Sequence, residues 1–422
     1  MLFIALFALS FLPSDRGRSF SMLLLVLISL YHVFMVSTFS SSIVSSGDMT
    51  ILGNVVGNPG MTGKRKSSFD VEVKLLKDEM GFYGSGKGRV HVISKEEEIY
   101  SGDVVVLSGR FLDDELFFSD GVVVRNHGYL YSFRRRCLGF IRGRVSVLSE
   151  DVRELSLRLL LGSGDAATYE IGEMARAKGV SHVFALSGMH LEIIFNFASL
   201  ALIFIPSDET RGRMVLVPLV LFSFLSSFGA SLLRALLMRA LKAVFPKLSM
   251  DETLCFAFVI HAYISPMMIL SAGGSLSYMS IAAILLLSKW TENLGGISSS
   301  FLITSGCLLS TGFYSMRTFD SFTLSGLLYS PLVSFVVRIF MTLLLVLVIL
   351  PLPFIPWLLD LVYRVLLHML NLPDILGCLG FDVAYMSTAA VFMLLLSYSC
   401  GQKKGFGLCF QHCVEPELRK HK

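Results

Sequence analysis

The sequence predicts a polytopic, all-α helical membrane bundle with a small all-β domain inserted on its extracytoplasmic side, and three observations lead to that fold class. Hydrophobic residues make up 54% of the chain and charged residues 16%, with a mean hydropathy of +0.68, which excludes a large soluble enzyme. Apolar segments close to the length of a membrane span recur along the chain. One stretch, 44–128, breaks that pattern and reads as short alternating runs between Gly, Asn, Asp and Lys. The formal net charge of +4 is unevenly placed, so it bears on topology rather than on ligands.

Residues 1–42 read as an N-terminal membrane hairpin. Residues 1–12 are apolar but short for a span, 20–39 are long enough to cross a hydrocarbon core, and Asp15, Arg16 and Arg18 lie between them. The longer second span and the lack of a small-residue cleavage site favour a retained hairpin over a signal peptide. With Arg16 and Arg18 cytoplasmic, the chain after residue 40 begins on the outer side.

In the next unit, 43–128, the runs TILGNVV, SFDVEVKLL, GRVHVIS, DVVVLSGRF and LFFSDGVVV predict five strands of a small barrel or sandwich. GSGKGR at 84–89 lacks the spacing of a phosphate loop and opens no helix, so it reads as a turn. Ten Lys and Arg face thirteen Asp and Glu in 44–128, so any nucleic-acid contact there falls to the local clusters Lys64, Arg65, Lys66 and Lys87, Arg89. Ordinary solvated turns account for the same clusters. Residues 129–165 follow as a basic amphipathic helix. Leu138, Ile141, Val145, Leu148, Val152, Leu155 and Leu159 make one apolar face, while Arg142, Arg144, Arg153 and Arg158 take the others. Such a face suits a membrane surface, a nucleic-acid phosphate or a partner helix.

Residues 166–400 form the transmembrane unit, opened by GVSHVFALSGMHLE at 179–192. Polar groups this close to a span are costly unless they are used or satisfied. Gly188 after Ser187 weakens the local helix, and interrupted helices persist in bilayers only within protein or beside water. Apolar segments follow at 214–229, 230–245, 253–272, 275–289, 298–314, 322–350, 352–371 and 384–400. Counting 230–245 and 352–371 as crossings puts Arg211, Arg213, Lys247, Lys289 and the basic tail, 401–422, on the cytoplasmic side; either segment is alternatively re-entrant.

Several polar groups in this unit are candidates for chemistry. Arg234, Met238 and Lys242 share one helical face with Ser231, and two cations there line an aqueous path, pair with Glu192 or Asp251, or snorkel to lipid phosphate. Asp360, Arg364, His368 and Asn371 form a second stripe, which lines a pore or is the solvated face of an interfacial helix. Glu192, His261 and Arg338 stand alone and read as satisfied polar groups. Ser187 and His190 stand three residues apart, which allows a nucleophile and base, but no orienting acid is evident apart from Glu192. Seven scattered cysteines suggest no disulfide framework, and the spacing of Cys400, Cys409, His412 and Cys413 is not that of a common zinc motif, so no metal and no cofactor is expected.

These residues carry a family resemblance. GVSHVFALSGMHLEII resembles the signature of the ComEC competence proteins, with Gly179, His182, Ser187, Gly188 and His190 in register. SLLRALLM at 231–238 is similar to the family's serine and Arg-Ala-x-x-Met element, and PMMILSAGGSLSYMSIAAI at 266–284 to its element after a proline. The layout also resembles the family's, which sets an OB-type barrel between a membrane hairpin and a competence module, with GDVVVLSGRF at 102–111 similar to an inner barrel strand. The resemblance implies a multi-pass channel of the inner membrane that admits single-stranded DNA during natural transformation. His182, Ser187, Gly188, His190, Ser231, Arg234 and Lys242 would line its path. Phe69, Phe82, Tyr83, Phe111, Phe117 and Phe118 would stack on bases or fill the barrel core.

The partners implied are single-stranded DNA, membrane lipids and a separate nuclease, DNA receptor or cytoplasmic helicase; no oligomeric state is implied. Gly274 and Ser275 stand where the family has Phe and Gln, so the resemblance assigns those side chains no role. No His-x-His-x-Asp-His run follows Ser399, so the metallo-beta-lactamase-like domain of many members, and with it nuclease activity, is not expected. Two other readings stay open: an intramembrane hydrolase using Ser187 and His190, and a non-transporting structural relic of the family.

Overall fold

Strand and helix assignments follow the alternation and periodicity of the sequence closely. A computed structural model describes Tyr31 and residues 48–61, 67–78, 83–84, 88–94, 99, 103–113, 116–125, 129–162, 166–291, 295–319 and 323–373. The expected hairpin at 1–42 (Tyr31 apart), Lys64, Arg65, Lys66, Lys87, the segment 384–400 and the tail lie outside the described residues, as does the side chain of Arg89.

The β unit comprises β1 (Asp48–Met61), β2 (Ser67–Asp78), β3 (Tyr83–Gly84), β4 (Gly88–Ser94), β5 (Val104–Asp113) and β6 (Leu116–Arg125). Hydrogen bonding runs β1-β5-β6-β4-β2 and returns from β2 to β1, which closes a five-stranded barrel; β3 only extends β2. All pairings are antiparallel except β4 with β6. The period of two explains the core: Phe69, Val71 and Val73 point inward with Ile51, Val55, Val90, Val92, Val105, Leu107 and Phe117, while Glu72 and Lys74 stay exposed. Closure removes the sheet edges that would otherwise invite aggregation, and bulges at Leu52/Gly53 and Ser108/Gly109 supply the bending. Phe69 and Phe117 are core residues, with Phe111 edge-on to Phe117 at 5.0 Å between centroids.

The helices that follow are α1 (Tyr129–Val145), α2 (Glu150–Leu161), α3 (Ala166–Ala177), α4 (Ser181–Phe184), α5 (Gly188–Ala201), α6 (Asp208–Met214) and α7 (Leu216–Leu225). Then come α8 (Ala230–Val244), α9 (Met250–Ile264), α10 (Pro266–Leu270), α11 (Ala272–Thr291), α12 (Gly296–Phe319), α13 (Gly326–Ile349) and α14 (Ile355–Asn371). Among the described residues α13 is the one helix both long and apolar enough to cross a membrane. Its buried face, Val333, Val337, Phe340, Met341 and Leu344, is the centre of a core shared with α1 to α5, α7, α8 and α14.

The single amphipathic helix expected over 129–165 is corrected to two. The Ser146 hydroxyl donates to Gly143 O at 2.8 Å, and the Ser149 hydroxyl reaches across to the Asp360 carboxylate at 2.8 Å, so the chain turns between α1 and α2. The apolar stripe survives the break, because Leu138, Val145, Leu148, Val152, Leu155 and Leu159 all enter the shared core. Asp360 therefore has a partner on another element.

Candidate functional site

The chain breaks where Ser187 and Gly188 predict it. α4 ends at Phe184, and Ser187 takes an extended conformation (φ −135°, ψ 175°) as the N-cap of α5. His190 holds the third position of a capping box, where Glu or Gln is usual: Ser187 N–H donates to His190 Nδ1 at 3.2 Å, and Ser187 Oγ lies 3.1 Å from the same nitrogen. Nδ1 is thus an acceptor, which puts the proton on Nε2, and that nitrogen is buried with no hydrogen-bond partner among the described residues.

Before the break the stretch is fastened to α13. Gly179 adopts φ +70°, and a Cβ there would lie 2.9 Å from Thr323 Cγ2 and 3.3 Å from Gly326 Cα, so only glycine fits. His182 Nε2 is 3.0 Å from Ser330 Oγ, and Lys178 sits over the Tyr329 ring at 5.1 Å.

α8 carries the second constellation. Arg234 is 8% exposed; its Nε donates to Ser277 Oγ at 2.8 Å and its Nη1 to Met238 Sδ at 3.3 Å. No carboxylate pairs with Arg234 among the described residues. A cation without an ion pair in so dry a place is a costly feature, tolerated when something uses it. Its Nη2 edge faces α5, 3.5 Å from where a Cβ on Gly188 would stand. Ser231 Oγ donates to Gly273 O at 3.0 Å, so two bonds tie α8 to the start of α11. The three stretches 179–192, 231–238 and 266–284, far apart in sequence, meet at this arginine.

The departure at Gly274 has a local reason. A Cβ there would lie 2.2 Å from Met268 O, because the α10–α11 corner brings the two backbones together, and no larger side chain fits. Ser275 Oγ donates to Ile269 O at 3.0 Å across the same corner.

Not every predicted residue reaches this junction. Lys242 turns toward the loop after α8, donating to Leu248 O and, at 3.5 Å, to Pro246 O. Glu192 pairs with Arg239 rather than with Arg234, Lys242 or His190, and the Arg239 guanidinium lies 4.2 Å from the Phe195 ring centroid. Ser187 and His190 therefore touch without an orienting acid, and the base nitrogen that would take the serine proton already accepts from a backbone N–H.

Sequence reasoning did not see the bonding of Ser277, His261 or Arg134. Ser277 needs the α8–α11 contact to be seen. His261, fully buried, lies with Nδ1 3.1 Å from Tyr278 OH, which donates onward to Ala257 O at 3.3 Å; His261 Nε2 has no hydrogen-bond partner among the described residues. Arg134 is buried and caps the end of α7, donating to Phe224 O at 3.0 Å, Leu225 O at 2.8 Å and Ser227 Oγ at 2.7 Å. Only the triple Arg134, Arg135, Arg136 marked it in sequence, and that run could not say which arginine turns inward.

Among the described residues no three His, Cys, Asp or Glu side chains are grouped to hold a metal ion. No curated protein and no solved structure matches the chain at a significant level. The family described as "Competence protein" matches residues 159–404, a range that begins in α2 and takes in the whole junction around Arg234. With more than half of its length matched, the chain belongs to the competence-protein family, ComEC.

Proposed function

We propose that the protein is a polytopic inner-membrane channel admitting single-stranded DNA during natural transformation, with the β-barrel as an OB-like domain on the outer side. The observation that carries this reading is Arg234: a buried cation with no carboxylate partner among the described residues, where three of the family's motif stretches meet. A strand with a charge on every phosphate needs a cationic or dipolar lining to pass hydrocarbon. The strand order of the barrel, with one parallel pair closing an otherwise antiparallel ring, supports the OB-like reading, and such barrels receive single strands by stacking and charge. α13 supplies one membrane-length helix, and the other apolar helices would complete the bundle around it. A separate nuclease, receptor and helicase would work on either side.

The test compares uptake of labelled DNA in cells with the protein, without it, and with Arg234→Ala. Loss of uptake in the last two, with membrane insertion of the variant intact, is the expected result. Unchanged uptake without the protein would sink the channel reading and favour a structural relic. Normal uptake with Arg234→Ala would remove that residue from the path.

The contact between Ser187 and His190 favours a second reading, an intramembrane hydrolase. It requires His190 to give up the cap hydrogen bond it accepts, and it lacks an orienting acid.

A further inference from the structure

Arg338 stands alone in the sequence, and it stands alone on α13. Every other residue of that helix is uncharged, and among the described residues α13 is the one helix long and apolar enough to cross a membrane. Its inward side fills the shared core, while Leu328, Leu332, Phe335 and Ile339 stay exposed at helical spacing along the opposite side, with Arg338 exposed beside them. Among the described residues no carboxylate pairs with its guanidinium, and the one bond at Arg338 is to its backbone, where the Thr342 hydroxyl donates to the carbonyl at 2.8 Å. Depth decides what can answer that charge. Arg338 lies twelve positions from Gly326 and eleven from Ile349, so in a hydrocarbon core about 30 Å thick it would sit near the middle, about 15 Å from either edge. That is farther than an arginine side chain can snorkel without thinning the bilayer. A second copy fits no better, because a two-fold contact on this face sets Arg338 against its own copy at the same depth. A path for a polyanion would be polar, and the four exposed neighbours here are large and apolar. What fits is an apolar segment that carries one carboxylate.

We propose that segment 374–400 of this chain docks on the open face of α13, with Asp382 as the counter-ion of Arg338. The sequence supplies the matching chemistry, since Asp382 is followed by an uncharged, mostly apolar run over 383–399. The fold delivers the chain to the right place. Lys178 Nζ donates to Leu372 O, and Tyr329 OH, in the first turn of α13, donates to Pro373 O at 3.0 Å. From Tyr329 to Arg338 is nine positions, about 13 Å along the helix, and the nine residues from Pro373 to Asp382 reach up to about 30 Å when extended. Asp374 stands at the anchor itself, nine positions short of Arg338, whereas Asp382 has the length to reach it. The family match runs on to residue 404, so the segment belongs to the same unit as α13. The inference needs α13 to span a membrane; it does not need DNA to pass.

Ile339→Cys, in a full chain without its native cysteines, is paired in turn with a cysteine at 381 and at each of 383–386, and disulfide formation is followed in native membranes. A bond requires Cα atoms within about 7 Å of each other. Docking therefore gives a bond within one chain for at least one pair, faster than any from Val217→Cys, which is exposed on α7. No bond, or one no faster than from Val217→Cys, overturns the docking; a bond between chains assigns the face to a second copy and overturns it too. The charge pair is read separately, by thermal unfolding in maltoside micelles. Arg338→Met and Asp382→Leu should each lower Tm by about 3–6 °C, because each leaves one charge unanswered, and the double variant should return to within about 1 °C of the native protein. Additive losses, or an Arg338→Met protein as stable as the native one, overturn the pair. Loss of DNA uptake in Arg338→Met, with uptake unchanged in Asp382→Leu, would instead put Arg338 in the path of a polyanion.

Discussion

Ser187, His190 and Arg234 divide the work at the junction by what each can bond. Serine followed by glycine marks a helix start as readily as it marks a nucleophile, and the extended conformation of Ser187 with His190 bonding back to it decides for the cap. A cap and a nucleophile respond differently to substitution. Ser187→Ala should cost about 1 kcal/mol of stability and Ser187→Gly only a few tenths, both measured by denaturation in micelles. DNA uptake should persist in Ser187→Gly; its complete loss with the fold intact would revive the hydrolase. Arg234 was legible as an anomaly, because a cation in an apolar helix needs a reason. Its partners were not: Ser277 lies on a helix whose approach no local pattern announces.

Between elements, the turn from α7 to α8 sets the direction in which Arg234 points. Ser227 and Phe228 both have positive φ, 66° and 48°, a conformation that costs a residue with a side chain about 1–3 kcal/mol and persists only where the surroundings enforce it. The enforcing group is Arg134, which bonds the last carbonyls of α7 and the Ser227 hydroxyl, with Phe224 and Phe228 rings tilted together at 6.4 Å. Ser227→Ala and Ser227→Gly remove the same acceptor, so their difference isolates the backbone. The glycine variant should be the more stable by about 1 kcal/mol, the reverse of the order inside a helix, and equal stabilities would show that the turn is unstrained. The α1–α2 break belongs to this scale as well. The heptad-like stripe from Leu138 to Leu159 reads as continuous, and the Ser146 bond to Gly143 O with the Ser149 bond to Asp360 on a distant helix shows why the chain turns.

Across the whole molecule, α1 joins the barrel to the helical body through neighbouring arginines that face opposite ways. Arg135 pairs at 3.2 Å with Asp103, whose side chain is 5% exposed at the start of β5, while Arg134 turns into the helices. If the barrel lies outside and α13 spans, a cysteine placed at exposed Asp120 in a background without native cysteines should react with a membrane-impermeant maleimide in intact spheroplasts. Labelling only after lysis would put the barrel in the cytoplasm and invert the proposed topology.

Sequence by itself determined that the chain is mainly helical with a small β-barrel, and it determined most of the elements. Period-two alternation and long apolar runs are local properties, so the barrel strands, the long apolar helices from α5 to α14 and the break at Ser187 could be read directly, while the short α6 and the corner that separates α10 from α9 could not. Family membership was legible for the same reason, since its motifs are contiguous. What only the tertiary structure decided is which polar groups meet: Arg234 with Ser277 and Gly188, Glu192 with Arg239, Arg134 with the end of α7. Those pairings follow from how helices far apart in the chain pack, and a buried charge takes its meaning from the groups it finds there.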